Sequence, residues 1–172
     1  MIRERKQFFV EALKAHYQET ISGARLAETR AAQAAADIQN EARRKEDAKG
    51  AVESNRLAAG HRARRERAAK ELEALIAFAS RGVHAYTSDA PVRLGCLVDV
   101  SVETDEGSEE RTLFVLPVGA GTELEGPGGD GFISVITPAS PVGKAIEGAR
   151  AGDVVEVVIA GKDREWTIVD VC

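Results

Sequence analysis

Apolar residues recur at seven-residue spacing over roughly residues 3–46 of the chain. Two interleaved sets carry this repeat: Val10, Tyr17, Ala24, Ala31 and Ile38, together with Leu13, Thr20, Ala27 and Ala34. A second stretch over about residues 51–79 repeats the spacing less regularly, through Ala51, Ala58, Ala68, Leu72, Leu75 and Ala79. Such spacing is typical of a coiled-coil seam. The pattern predicts two helices that pair as an antiparallel hairpin.

The two helices require a turn between them, and Gly50 and Gly60 are the candidate helix breakers. A turn at Gly60 would leave much of the first helix unpaired, so we predict the turn near Gly50, with residues 47–49 at the tip. The paired region would then be about 42 Å long at a rise of about 1.5 Å per residue. Large apolar side chains of both helices would meet at the opposite end of the hairpin; they are Phe8, Phe9, Leu13, Tyr17, Leu72, Leu75, Ile76 and Phe78.

The second half of the chain changes to a period of two, which is typical of half-buried strands. Five strands are predicted, at residues 94–103, 111–118, 131–136, 153–160 and 164–171. Residues 119–131 are rich in glycine but lack the Lys-Ser/Thr ending of a phosphate-binding loop, so we interpret them as a plain connection.

One short helix is predicted among these strands. Ser140 would be its N-cap, Pro141 its first helical residue and Gly148 its stop. The predicted fold class is therefore α+β, with a coiled-coil hairpin in residues 1–81 and an antiparallel β domain with one short helix in residues 82–172.

Charge divides the chain at the same place. Residues 1–81 carry 17 Lys and Arg against 12 Asp and Glu, whereas residues 82–172 carry 6 against 16, which gives the net charge of −5. A charge difference of this kind concerns partners rather than fold. The basic half would tolerate RNA, and the acidic half would favour a basic protein surface; two ordinary solvated surfaces fit the same numbers.

Candidate chemistry along the chain is sparse. Cys96 and Cys172 have neither metal-ligand spacing nor a disulfide framework, which is typical of reduced thiols. His61 falls on the second seam without a second ligand at helical spacing, so we interpret it as a partly buried seam residue. The arginine cluster is either a solvated face or a contact for a partner; it comprises Arg62, Arg64, Arg65 and Arg67.

Targeting signals are not expected in this sequence. Charged residues interrupt the N-terminal segment, so no signal-peptide core forms. No apolar run approaches the length of about 20 residues that a membrane span needs. We therefore expect a cytoplasmic protein without membrane contact.

Residues 133–148 read ISVITPASPVGKAIEG, and residues 151–157 read AGDVVEV. This run resembles the C-terminal signature of the Gre transcript-cleavage factors. In that family a strand leads to a Ser-Pro-Leu-Gly-x-Ala-Leu helix, then to Gly-x-x-x-Gly-Asp and a strand of alternating valines. Residues 93–172 as a whole resemble the FKBP-like domain of the family, and the preceding hairpin completes its layout.

The resemblance implies a bacterial transcription elongation factor that is not itself an enzyme. Its FKBP-like domain would dock on RNA polymerase through the motif that contains Ser140, Pro141, Gly143 and Lys144. Its hairpin would enter the secondary channel and modulate cleavage of backtracked RNA at the nascent 3′ end. The resemblance implies no cofactor of its own, a Mg²⁺ ion shared with the polymerase in the complex, and a monomer.

The tip motif of the family is Asp-x-Lys-Glu-Asn-Ala-Glu, and residues 47–53 read DAKGAVE. Asp47, Lys49 and Glu53 match that motif, so Asp47 would be the carboxylate that helps to hold the Mg²⁺. Gly50 replaces the second catalytic acid of the family. Glu46 is the candidate replacement for that acid.

Because of Gly50, two roles follow from the resemblance: a factor that stimulates cleavage, or an inhibitor or competitor that only occupies the channel. An enzyme alternative is a peptidyl-prolyl isomerase, which would line its pocket with aromatic residues. The candidates are Phe114, Phe132, Trp166 and Tyr86. A coiled-coil adaptor without a link to transcription is the third alternative.

Overall fold

The structure of the chain is a computed structural model that describes residues 1–41, 47–104, 107–159 and 161–172. The described helices are α1 (Ile2–Glu41), α2 (Asp47–Ser80) and α3 (Pro141–Ile146). The described strands are β1 (Leu97–Thr104), β2 (Gly107–Val115), β3 (Glu123–Glu125), β4 (Phe132–Ile136), β5 (Val154–Ile159) and β6 (Lys162–Val171). Within these ranges, no helix combines the length and hydropathy of a membrane span.

The predicted seams of α1 and α2 are largely confirmed. Their buried apolar residues are Val10, Leu13, Tyr17, Ala24, Ala51, Ala58, Ala68 and Leu75. Late in α1 the buried residue is Ala35 rather than Ala34, because a straight helix drifts relative to a strict seven-residue repeat. Alanine favours the helix but buries little area, so much of the seam consists of small contacts.

The predicted turn at Gly50 is wrong. α2 begins at Asp47, so residues 47–49 and Gly50 are helical. A Cβ atom at Gly50 would lie 3.4 Å from Cδ1 of Ile38. That distance is an ordinary van der Waals contact, so Gly50 is an exposed helical residue near Ile38 and not a turn residue.

The described residues divide into two compact units. One unit comprises Met1–Leu13 and Ala74–Cys172, and the other comprises Lys14–Glu73. The first turns of α1 and the last turns of α2 thus belong to the same unit as the sheet. Of the large apolar residues expected at this end, Phe9, Leu13 and Leu75 are buried, whereas Phe8 and Ile76 are exposed.

The six described strands form one sheet in the order β3-β4-β2-β1-β6-β5. The α+β class is confirmed, but the sheet is mixed, since β2 pairs with β4 in parallel. The sheet is mixed because of β3, which lies within residues 119–131, the segment predicted to be a plain connection. After β2 the chain crosses to this edge strand, and β4 returns antiparallel to β3 and beside β2.

The two faces of the sheet pack against different helices of the same unit. On one face, the core includes Val98, Val100, Val157, Trp166 and Ile168 from the strands and Ile146 from α3. Phe9 of α1 contacts Phe114 of β2 edge to face, with ring centroids 6.3 Å apart. Phe114 is the register partner of Leu97, and all three of these side chains are buried.

Candidate functional site

The first turns of α2 carry the residues that the sequence assigns to the tip. Lys49, Gly50 and Glu53 are exposed there. Lys49 and Glu53 are four residues apart and therefore share one helix face. Asp47 is the first residue of α2, but its side chain, like Glu46, lies outside the described part of the chain. Their roles as carboxylate ligands remain predictions.

Asp47 is the one residue predicted here as a metal ligand, and one carboxylate is too few for a closed metal site. Mg²⁺ takes one or two carboxylates from a protein and fills its remaining positions with water or phosphate oxygens. Among the described residues, no cluster of three His, Cys, Asp or Glu side chains is placed to hold a metal. Asp47, as one carboxylate beside a partner's metal, would meet the smaller requirement.

Glu28 of α1 joins two arginines of α2 in the compact unit Lys14–Glu73, called the helical unit below. Its carboxylate accepts hydrogen bonds from Nε of Arg62 at 2.8 Å and from Nε of Arg65 at 3.0 Å. The Glu28 side chain is only 16% exposed. The hydrogen bonds from Arg62 and then Arg65 lower the pKa of Glu28 below its ordinary value. These ion pairs join the two helices at this level of the hairpin.

The arginine cluster of the sequence thus has two parts. Arg62 and Arg65 bind Glu28, and Arg62, Arg64 and Arg67 are exposed. Sequence reasoning missed Glu28, although it lies four residues after the seam residue Ala24 and faces the partner helix. An acid at the edge of one seam and arginines at the edge of the other were the available signal.

Glu28→Gln should lower the melting temperature of the helical unit more at pH 7 than at pH 3. The folded-state pKa of Glu28 lies below its ordinary value of 4.5. Its stabilisation is therefore complete above that value and is lost as the pH falls through the folded-state pKa. Circular dichroism melts at 222 nm, at both pH values, would measure the difference from the wild type.

The exposed residue Glu19 supplies the control for this prediction. Glu19→Gln should melt like the wild type at both pH values. A Glu28→Gln protein whose melting temperature differs from the wild type by the same amount at pH 7 and pH 3 would contradict the assignment.

The predicted N-cap of α3 is confirmed. The Ser140 hydroxyl accepts a hydrogen bond from the backbone N–H of Gly143 at 3.1 Å and donates one to the carbonyl of Thr137 at 2.7 Å. Pro141 is the first helical residue, where a missing N–H costs little. The Ser140 hydroxyl therefore both donates and accepts a hydrogen bond at the start of α3.

The four residues predicted to bind a partner fall into two groups. Pro141 and Lys144 are exposed, so they are available to another molecule. Gly143 is buried and Ser140 is half-buried, and both are engaged in the start of α3. The first pair is therefore accessible, and the second pair forms the start of α3; a contact with a partner remains a prediction for all four.

Lys6 is the one charged residue that is fully buried among those the structure describes. Its ammonium group donates to the carbonyl of His84 at 2.8 Å and lies 4.7 Å from the ring centroid of Tyr86. Burial lowers the pKa of Lys6, and the nearby thiols of Cys96 and Cys172 act in the opposite direction. Sequence reasoning missed this residue, although it lies seven residues before Leu13 and therefore continues the seam.

Both cysteines are free thiols, as the sequence predicts. Cys96 is buried and Cys172 is half-buried, and burial raises the pKa of each thiol. Thiols of raised pKa are poor nucleophiles and poor metal ligands near neutral pH. The pair therefore has a packing role at the start of β1 and the end of β6.

A comparison with known proteins concerns the residues that form the sheet and α3. Residues 88–172 match the family model described as the C-terminal region of the transcription elongation factors GreA and GreB. The matched residues contain β1 to β6 and the capped helix α3. No curated protein matches the chain.

Three solved structures are similar to the chain over most of its length. The crystal structure of the GreA factor homolog 1 (Gfh1) protein of Thermus thermophilus has 20% identity, a TM-score of 0.37, and coverage of 92% of this chain and 94% of its own. A structure of the transcription factor Gfh1 has 22% identity, a TM-score of 0.37 and 92% coverage of each chain. The crystal structure of Thermus aquaticus Gfh1 has 18% identity, a TM-score of 0.35 and 94% coverage of each chain.

The family match and the capped helix concern the same residues. The motif of residues 133–148 supplies β4 and α3, and the valines from residue 154 onward supply β5, in the order that the resemblance implied. Residues 88–172 are therefore a domain of the GreA/GreB C-terminal type.

Proposed function

We propose that this chain binds RNA polymerase at the secondary channel and promotes cleavage of backtracked RNA by the polymerase. The observation that carries the proposal is the GreA/GreB match over residues 88–172, in a chain whose preceding residues form two paired helices. In this proposal the β domain docks through the exposed Pro141 and Lys144, and the helical unit carries Asp47 to the active site. In this proposal the RNA is cleaved in the active site of the polymerase.

In this proposal Asp47 contributes one carboxylate and does not cleave RNA itself. A carboxylate beside the polymerase magnesium supplies a hard oxygen ligand and orients a water molecule for attack on the RNA phosphate. Glu53, six residues after the start of α2, is an exposed second acid on the same helix. The paired helices Lys14–Glu73 would span about 40 Å, which suits delivery of a side chain through a channel.

Asp47→Ala should reduce transcript cleavage in stalled elongation complexes by about 100-fold, if a metal-positioning carboxylate is lost. Cleavage is measured from the shortening of labelled RNA in the presence of the wild-type or variant protein. Glu73→Ala is the matched control, because Glu73 is an exposed acid on the same helix, about 40 Å from Asp47 at a rise of 1.5 Å per residue. It should leave cleavage unchanged.

The competing role, occupation of the channel without cleavage, is favoured by one residue. Gly50 stands where the family carries its second catalytic acid. If wild type and Asp47→Ala are equally inactive in cleavage but both bind polymerase and displace a cleavage-active factor, the chain is a competitor. If the wild type does not bind polymerase, both roles are excluded and an adaptor unrelated to transcription remains.

The isomerase alternative has little support in the positions of the aromatic side chains. Phe114 is buried against Phe9, and Trp166 is buried in the core of the other face. Phe132 is exposed, and Tyr86 lies beside the Lys6 ammonium. These four side chains do not line a common pocket. A proline-isomerisation assay with the full chain would detect the activity if it were present.

A further inference from the structure

The strand β5 forms one edge of the sheet and is bonded along one side only. Its six residues pair with β6, from Val154 opposite Thr167 to Ile159 opposite Lys162. Within the residues that the structure describes, no other backbone hydrogen bond involves Val154–Ile159. Alternate N–H and C=O groups of the strand therefore face outward, as in a template for a further strand.

The opposite edge, β3, is protected in the ways that natural sheets use. It has only three residues, two of them are exposed glutamates, and a proline follows at residue 127. Short length, charge and proline all prevent the addition of a strand. β5 has twice that length, contains no proline and carries a single charged residue, Glu156. The two edges of the same sheet therefore differ in their capacity to pair.

The side chains of β5 that face away from the core are apolar on either side of one acid. Val154 is 58% exposed and Val158 is 57% exposed, and Glu156 lies between them on the same face. Val157 points to the other face and is buried in the core. Glu156 lies directly opposite Glu165 of β6, and like charges directly opposite each other destabilise a strand pair.

We propose that β5 is a strand-addition site for an extended basic segment of another protein. A cation opposite Glu156 on the added strand would relieve its repulsion with Glu165. Apolar residues two positions to either side of that cation would cover Val154 and Val158. The recognised pattern is thus apolar-x-basic-x-apolar in an extended conformation, held by main-chain hydrogen bonds. α3, which carries Pro141 and Lys144, packs against β5, but the proposal rests on the free main-chain groups of β5 and not on the proposed docking role of those two residues.

The charge of the domain selects this occupant over others. Residues 82–172 carry 6 Lys and Arg against 16 Asp and Glu, which disfavours nucleic acid and a second copy of the same acidic domain. Pairing of two copies about Glu156 would also place two glutamates opposite each other. A basic peptide removes the repulsion that either alternative would add.

The probe is the capped peptide Thr-Val-Thr-Lys-Thr-Val-Thr, titrated into the ¹⁵N-labelled full chain, with backbone amide shifts recorded by NMR. The amides of residues 154–159 are expected to shift first and most. A matched peptide with Glu in place of the central Lys should bind about tenfold more weakly, since its charge would repel Glu156. Val158→Lys should abolish binding, because a lysine at the edge blocks strand addition.

Two variants separate a lost site from a lost fold. Lys at position 158 would lie opposite Asp163, so Val158→Lys should melt like the wild type; Val154→Lys, opposite Thr167, is the second variant. Glu123→Lys on β3 is the control and should bind the peptide as the wild type does. Equal binding of the Lys and Glu peptides, shifts elsewhere than residues 154–159, or no shifts at millimolar peptide would overturn the proposal. Dimers in sedimentation velocity that Val158→Lys abolishes would also overturn it, since they would assign the edge to a second copy.

Discussion

Phe9→Ala is expected to lower the free energy of unfolding of the unit that contains the sheet by about 3–5 kcal/mol. Phe9 is fully buried and its ring packs edge to face on Phe114 of β2. Truncation would remove that aromatic contact and leave a cavity between α1 and the sheet, which surrounding side chains fill only in part. Urea denaturation followed by tryptophan fluorescence measures the loss, because the single tryptophan, Trp166, is buried in this unit.

The neighbouring residue gives a matched control for this prediction. Phe8 is the same residue type on the same turn of α1, but it is 43% exposed. Phe8→Ala should cost less than about 1 kcal/mol, since surface truncations have small effects. If the two variants lose the same stability, burial of Phe9 against the sheet is not what stabilises this unit.

The helices were predictable because their signals are local and repeated. The seven-residue repeat predicted the seam from Val10 to Ala79, and the absence of proline before Pro91 allowed both helices to run through it. The turn was misplaced because glycine has two uses. Gly50 lies inside α2, and nothing in its local sequence distinguishes a glycine within a helix from one in a turn.

In the β domain, the strands with alternating residues and the cap at Ser140 were predictable for the same reason. β3 was missed because three residues between glycine-rich turns carry no measurable period. Without β3, the parallel pairing of β2 with β4 cannot be deduced, since it follows from the crossover to that edge. Sheet order is a property of pairings distant in sequence, and a period of two contains no information about them.

In the candidate site too, the local motif was predictable, whereas contacts between distant parts of the chain were not. The motif of residues 140–144 was found from sequence, but which of its residues contact solvent emerged only from the structure. Lys6 and Glu28 act through partners 78 and 34 residues away in the chain, respectively. Their roles depend on which helix and which loop lie opposite them, so a single sequence shows only that charged residues occupy or border a seam.

Gly143→Ala is the second substitution with a large expected effect, since it should destabilise the β domain by about 3 kcal/mol. A Cβ atom at this position would lie 2.8 Å from the carbonyl carbon of Thr137 and closer still to its oxygen. It would also lie 3.0 Å from Oγ of Ser140. Since two of these atoms belong to backbone, no side-chain rotation relieves the clash, and the N-cap of α3 must shift.

A glycine-to-alanine substitution in α2, Gly60→Ala, should raise the free energy of unfolding instead of lowering it. A Cβ atom at Gly60 would meet no atom within 4 Å, so Gly60→Ala should stabilise the helical unit by about 0.5–1 kcal/mol through the helix propensity of alanine. Denaturation followed by tryptophan fluorescence for Gly143→Ala, and by circular dichroism at 222 nm for Gly60→Ala, measures the two effects. A neutral Gly143→Ala would mean that α3 can move away from Thr137. In that case the exposed positions of Pro141 and Lys144 would no longer be fixed by the cap, and their docking role would lose its structural basis.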